Sequence, residues 1–178
     1  LPAAMVAPTP VSALLHAVAV VKAGVFTILK ITVYIFGLDL LSVTGAATPI
    51  LWVAAITVIG ASLVALYQDN LKRRLAYSTI SQLSYVVLGA VLANAAGITG
   101  AAVHIATHAV GKITLFFCAG AILVAAHKTR VSELDGLGRQ MPITMGAFLI
   151  GSLSIAGLQP MAGLWGKWYL SIGALDAG

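Results

Sequence analysis

Apolar residues in this chain run in blocks long enough to cross a bilayer, and short polar turns separate the blocks. About 20 apolar residues in a row span the hydrocarbon layer as a helix. A spanning strand would read as short segments of alternating hydrophobicity, and these blocks do not alternate. The chain is 60% hydrophobic and 8% charged, against about 25% charged in soluble domains. An all-α, polytopic transmembrane helix bundle is therefore expected, lying in a lipid bilayer. The net charge of +5 does not mark a nucleic-acid binder, because the exposed basic residues gather in two connections, the pattern that sets membrane orientation.

The blocks predict about five spans plus part of a sixth. Helices are expected over residues 11–36 and 47–67, from about 75 to 93, and over 100–126. A last helix starts at Pro142, is interrupted at Gly157-Leu158-Gln159-Pro160, and resumes over residues 161–175. The connections at 68–74 and 127–141 fall on one side, because two spans separate them. They hold Lys72, Arg73, Arg74, Lys128, Arg130 and Arg139, whereas the connections at 37–45 and 94–99 hold no Lys or Arg. The positive-inside rule then puts the Lys72–Arg74 and Lys128–Arg139 loops in the cytoplasm. A prokaryotic cytoplasmic membrane is the expected location. Lys30, near the far end of the first helix, is placed to snorkel outward. The chain opens at Leu1-Pro2 and stops at Asp176-Ala177-Gly178 inside apolar sequence, so an internal segment of a longer protein is expected.

Several basic residues stand inside the apolar blocks: His16 and Lys22, then His104, His108 and Lys112, then Lys167. A lysine near the bilayer centre costs ~2.5–3.5 kcal/mol on insertion scales. Apolar neighbours such as Ile113, Leu115, Phe116, Phe117, Ile122, Leu123 and Val124 each return roughly 0.3–0.6 kcal/mol. Lys112 therefore cancels most of the insertion free energy of its helix, which marks it as a residue in use. His104, His108 and Lys112 stand at i, i+4, i+8 and share one helical face. Histidine exchanges protons near neutral pH. Desolvation disfavours the charged form of a buried lysine, so such a group can be neutral and charged within one cycle. The stripe reads as a proton relay; the alternative is three polar groups that bond neighbouring helices.

His-x-x-x-His also invites a metal reading. It lacks the glutamate of a zinc-protease motif, and no carboxylate lies in its helix. A metal or haem is not expected; the sequence holds no nucleotide, flavin or iron–sulfur motif, and neither a catalytic residue nor a cofactor is assigned. The Gly157–Pro160 interruption frees backbone groups in mid-membrane, tolerated only where the backbone is buried in protein or lines water. Such breaks mark ion and substrate sites in transporters; the alternative is a proline kink in a packing helix. Six residues separate His16 from Lys22, so they do not share a face, though both could flank one cavity. Lys72, beside Arg73 and Arg74, reads on composition as a membrane anchor. Tyr77, Ser78, Thr79, Ser81, Gln82, Ser84 and Tyr85 make the start of the third helix polar, which fits a water-lined entry or interhelical hydrogen bonding.

The string from Pro8 to Ala17 (PTPVSALLHA), followed by Val21-Lys22-Ala23-Gly24-Val25-Phe26, resembles the antiporter-like membrane subunits. These are shared by respiratory complex I, Mrp-type cation/proton antiporters and membrane-bound hydrogenases. The string from Lys72 to Gln82 (KRRLAYSTISQ), His104 to Lys112 with Leu115-Phe116, and Ala162 to Leu170 (AGLWGKWYL) are similar to further strings of that family. The resemblance covers nearly the whole chain, which would be a minority of a family member. It implies proton conduction along a central polar axis built from two inverted helix repeats, each with one broken helix. On that reading residues 1–36 end the first repeat and 47–178 form most of the second. The residues it implies are His16, Lys22, Lys72, His104, His108, Lys112 and Lys167, and it raises Lys72 from anchor to link between half-channels. Residues 1–7 would be the far half of the first broken helix; a further lysine and its glutamate partner would lie upstream. Gln159 and Gly166 stand where the family pattern has Pro and Ser. Lys22, with Lys167-Trp168-Tyr169-Leu170, looks more like the Mrp D-type subunit, which implies Na⁺ or K⁺ exchanged for protons and other membrane subunits as partners. The alternatives are a proton-pumping subunit of a complex I-type NADH dehydrogenase or a membrane-bound hydrogenase, and a non-conducting membrane scaffold.

Overall fold

The computed structural model describes residues 2–177; the side chains of residues 3, 4, 15–18 and 42 lie outside that description. Among the described residues there are helices and no strands, apart from one isolated bridge between Asn70 and Arg130. A single 3-10 stretch, Pro2–Val6, precedes Pro8. The helical path then runs through α1 (Thr9–Val11), a π-helical stretch over Ser12–Ala19, α2 (Val20–Lys30) and a second π stretch over Ile31–Phe36. The expected first helix is thus present but carries two widened turns that periodicity does not reveal.

Gly37 and Gly45 bracket a short helix, α3 (Leu38–Thr44), inside a segment expected to be loop. The bundle continues with α4 (Thr48–Tyr67), α5 (Leu71–Val91) and α6 (Ala95–Ala126). Two boundaries differ from expectation for the same reason. Asn70 caps α5 by accepting from the Arg73 N–H at 3.1 Å, so Lys72, Arg73 and Arg74 belong to the first turn of α5 and not to a loop. Asn94 caps α6 in the same way, accepting from the Gly97 N–H at 2.7 Å, so the expected turn at 94–99 is helix. Asparagine is a preferred N-cap because its side-chain oxygen satisfies an amide that the helix cannot.

The polar segment after α6 folds into a 3-10 turn, Val131–Glu133, and α7 (Leu137–Gln140). The last spanning block divides into α8 (Pro142–Ala156) and α9 (Gly163–Asp176). By length and composition α4 and α6 are each apolar enough to cross a membrane unaided. The polar first turns of α5 and the break between α8 and α9 keep those elements from meeting the same test.

The core is layered. One apolar cluster joins Ala13, Leu71, Leu75, Ala76, Leu115, Phe116, Ala119 and Ile122. A second joins Leu29, Val86, Ala90 and Ala101. On the first helical path, on α5 and on α6, buried polar residues stand between the two clusters: Lys22, then Thr79 and Ser81, then His104, His108 and Lys112, while buried Ser12 and Thr32 lie just beyond them on the first path. A polar layer therefore crosses the middle of the bundle with apolar packing above and below it. The α8–α9 pair runs antiparallel along α6: Gly151 lies against Leu115, Gly111 against Ile155, Gly166 against His104 and Gly100 against Leu170. Small residues let the backbones approach, as membrane bundles require. The interruption between α8 and α9 consequently sits opposite residues 104–111, at the level of the polar layer.

Candidate functional site: a buried lysine–histidine row

The α6 face that meets the bundle repeats every three or four residues, through Ala101, His104, His108, Lys112, Leu115, Ala119 and Ile122. That register buries all three ionisable groups. His104 and His108 are each 2% exposed and Lys112 is fully buried. Lys112 donates from Nζ to the backbone carbonyl of Leu75 at 2.9 Å. The Thr79 hydroxyl donates to the same oxygen at 2.8 Å. The two imidazoles stack at 5.8 Å with 20° between planes; their nitrogens are buried, and the Gln82 backbone is a hydrogen-bond neighbour of His104.

The chain break positions Lys167. α8 ends in a Schellman motif: the Leu158 N–H donates to the Leu153 carbonyl at 3.2 Å and the Gly157 N–H to Ser154 at 3.1 Å. Gly157 takes φ +84° there, a conformation that favours glycine. The motif leaves the Ile155 and Ala156 carbonyls without backbone donors, and Lys167 Nζ donates to both, at 2.9 and 3.1 Å. The same ammonium lies 5.7 Å from the Tyr85 ring centroid, and Tyr85 meets His104 edge-on at 5.9 Å. Gly166 makes this approach possible, because a Cβ there would stand 3.0 Å from the His104 Cα. Pro160 follows in the connecting turn, so the interruption extends over residues 157–162.

Lys72 serves the other end of the chain. Its Nζ reaches the Ala7 carbonyl at 3.5 Å, and the buried Ser12 hydroxyl donates to the same oxygen at 3.2 Å. Lys22 is buried at 6% exposure on α2. His16 belongs to the side chains outside the described residues, and its backbone lies in the first π stretch. The structure thus joins Lys167, His104, His108 and Lys112 into one row, and sets Lys72 apart beside Ala7. No Asp or Glu occurs on α2, α5, α6 or α8, and the one acid on α9 is Asp176, at the end away from the break. No group of three or more His, Cys, Asp or Glu side chains converges among the described residues.

A model of the NADH:quinone oxidoreductase/Mrp antiporter transmembrane family matches residues 1–178. The chain belongs to that family. It is 37% identical over 175 residues to an NADH-quinone oxidoreductase subunit N of Desulforudis audaxviator, covering 96% of this chain and 34% of that one. It superposes on the Mrp complex of Dietzia sp. DQ12-45-1b with a TM-score of 0.82 at 36% identity, over 100% of this chain and 19% of that chain. The corresponding values for a membrane-bound sulfane sulfur reductase, an archaeal respiratory membrane complex, are 0.86 and 29%, over 97% and 35%. The chain thus spans about a third or less of its relatives' length, as a segment of an integral membrane subunit.

The structure adds contacts that composition did not pick out. Tyr85 was legible only as one polar residue among several, and its seat between Lys167 and His104 depends on tertiary packing. Ser12 follows two prolines, which was the available signal that a carbonyl would need a donor nearby. The Leu75, Ile155 and Ala156 carbonyls carry no sequence signal at all, being backbone atoms.

Proposed function

We propose that this segment carries part of the proton path of an antiporter-like membrane subunit, with protons moving along the row from Lys112 through His108 and His104 to Tyr85 and Lys167. One observation carries the reading: a row of ionisable groups whose α6 members are buried, whose imidazoles stack, and whose Lys112 and Lys167 are held by carbonyl oxygens. A hydrogen bond to a charged group contributes roughly 1.5–3 kcal/mol, close to the ~2.5–3.5 kcal/mol insertion cost of one lysine. The Leu75 carbonyl therefore approximately offsets the cost of the Lys112 ammonium without fixing it beside an anion. A carboxylate partner would bind the proton far more firmly. Each histidine can accept at one nitrogen and release from the other, and the helical step of four places successive groups within about 5–6 Å at Cβ. Lys22 and His16 extend the row toward the first repeat, and Lys72 links it at the Ala7 carbonyl.

On this reading residues 1–36 close one inverted repeat and residues 47–178 form most of another, in a bundle of about five spans and part of a sixth. The Lys72–Arg74 and Lys128–Arg139 ends face the cytoplasm of a prokaryotic cell, and other membrane subunits of a hetero-oligomeric complex complete the assembly. The work done by the row is exchange of Na⁺ or K⁺ for protons. The Lys22 string and the likeness to the Mrp complex support that assignment. The NADH-quinone oxidoreductase relative supports a second reading, in which the same row pumps protons driven by redox chemistry in other subunits.

Vesicles holding the intact complex separate the two. A Na⁺ or K⁺ gradient alone acidifies or alkalinises the lumen under the antiport reading, whereas proton movement that requires reductant and quinone supports the redox-driven reading. Movement under neither condition, in an intact assembly, leaves the segment as a scaffold.

A further inference from the structure

We propose that Asn94 is a positioning residue for Lys167: its side chain pins α9 to the start of α6 and so sets where the lysine meets its carbonyls. The inference rests on the proton path proposed above, in which Lys167 takes part. One side-chain amide makes two bonds. Oδ1 accepts from the Gly97 N–H at 2.7 Å and caps α6. Nδ2 donates across to the Gly173 carbonyl of α9 at 2.6 Å. Asn70 caps α5 through the Arg73 N–H, and among the described residues its side chain makes no hydrogen bond to another helix.

The rest of the α6–α9 contact is glycine against backbone. Gly166, Leu170 and Gly173 follow at steps of four and three and lie on the buried face of α9. A Cβ on Gly173 would stand 2.6 Å from the Gly97 nitrogen and 2.8 Å from Asn94 Oδ1. One on Gly100 would stand 2.7 Å from the Leu170 nitrogen, and one on Gly166 3.0 Å from the His104 Cα. Gly89 of α5 meets the same place, where its Cβ would stand 2.7 Å from the Gly97 carbonyl oxygen. Small residues let helices approach closely, but they offer no side chain to stop one helix sliding along the other. The directional bond from Asn94 supplies that stop. Among the described residues no other hydrogen bond joins α9 to α5 or α6. Gly173 and Lys167 are six residues apart, about 9 Å along one helix, so a slide at Gly173 carries Lys167 with it. The Ile155 and Ala156 carbonyls that hold the lysine belong to α8, across the break, at 2.9 and 3.1 Å. N–H···O bonds hold over about 2.7–3.2 Å, so a slide of ~0.5 Å strains both.

The test uses the intact subunit complex carrying Asn94→Ser. Serine caps a helix about as well as asparagine, so the Gly97 amide keeps an acceptor, but the side chain ends one bond short of Nδ2 and the bond to Gly173 is lost. Asn70→Ser makes the same exchange at a cap without a cross-helix bond. Thermal unfolding reads the coupling, because independent distant sites lose stability additively. The midpoint loss of the Asn94→Ser, Lys167→Met double variant is expected to be smaller than the sum of the two single losses, since a slid α9 has already loosened the lysine. Asn70→Ser and Lys167→Met are expected to add. Proton movement in vesicles, at equal assembly, is expected to fall roughly two- to tenfold in Asn94→Ser, the factor that corresponds to one net hydrogen bond. It is expected to stay at the wild-type rate in Asn70→Ser. Additive losses for Asn94→Ser and Lys167→Met overturn the proposal, as does wild-type proton movement in Asn94→Ser where Lys167→Met abolishes it. Wild-type proton movement in Lys167→Met instead takes the lysine out of the path. The thermal cycle then decides alone: a loss below the sum supports the pin, and an additive loss overturns it. If Asn94→Ser does not assemble, Asn94→Thr, which also keeps a cap, replaces it. Failure of both beside an assembled Asn70→Ser makes Asn94 a structural residue and overturns the positioning role.

Discussion

The two places where a lysine reaches an interrupted helix solve the same problem differently. At residues 157–162, Lys167 donates to two freed carbonyls at 2.9 and 3.1 Å and lies over the Tyr85 ring. Beside Pro8, Lys72 makes one contact of 3.5 Å and shares its acceptor with Ser12. The first lysine is built into its break and coupled through Tyr85 to the histidines. The second is loosely held and has a substitute donor. The difference teaches that each of these half-buried lysines is positioned by backbone carbonyls, and that the number of carbonyls sets how firmly it is held.

That contrast can be broken in graded steps. The largest effect is expected from Lys167→Met. Removing the ammonium leaves the Ile155 and Ala156 carbonyls without a donor, at about 1–3 kcal/mol for an unsatisfied buried group, and severs the link to Tyr85. Thermal unfolding of the purified complex should fall clearly below that of Lys72→Met, where Ser12 still serves Ala7; equal losses would show that the carbonyl count does not matter. Next comes Gly166→Ala. The added Cβ would press on the His104 backbone at 3.0 Å, and overpacking of this kind costs typically about 1–3 kcal/mol. A lower midpoint accompanied by slower proton movement is expected, and unchanged transport would detach His104 from the α9 contact. Gly157→Ala should cost about 1–2 kcal/mol, because alanine is strained at φ +84°. Its effect should be additive with that of Lys72→Met, the two interruptions being independent.

The smallest effect lies outside the membrane. Hydrogen bonds from the Ser132 N–H and then its hydroxyl hold the Asp69 carboxyl below its ordinary value. A depressed folded value means that the latch between the two basic connections is present above the ordinary carboxylate range of about 3.9 and is lost as pH falls through the lower folded value. Hydrogen exchange at Ser132, corrected for intrinsic rate, should quicken under acid in the wild type. It should already be quick at neutral pH in Asp69→Ala. Identical protection in both proteins at neutral pH would contradict the latch.

The sequence made the helical blocks, the Gly157–Pro160 interruption and the His104–His108–Lys112 stripe legible, because membrane cost and helical period act over long stretches. Boundaries were less legible. Lys72, Arg73 and Arg74 look like a loop by charge, and only the capping role of Asn70 shows that they open a helix. The same holds for Asn94 and the residues after it. Row continuity was not readable, since Tyr85 joins it by packing across helices and the lysines' partners are carbonyls, which every residue possesses.

The most direct measurement is proton movement by the intact complex in vesicles carrying Lys112→Ala, compared with wild type at equal assembly. The account predicts a fall to the level of protein-free vesicles, because the row loses its fully buried lysine, the group bonded to the Leu75 carbonyl of α5. Proton movement near the wild-type rate in that variant would contradict a path through the row.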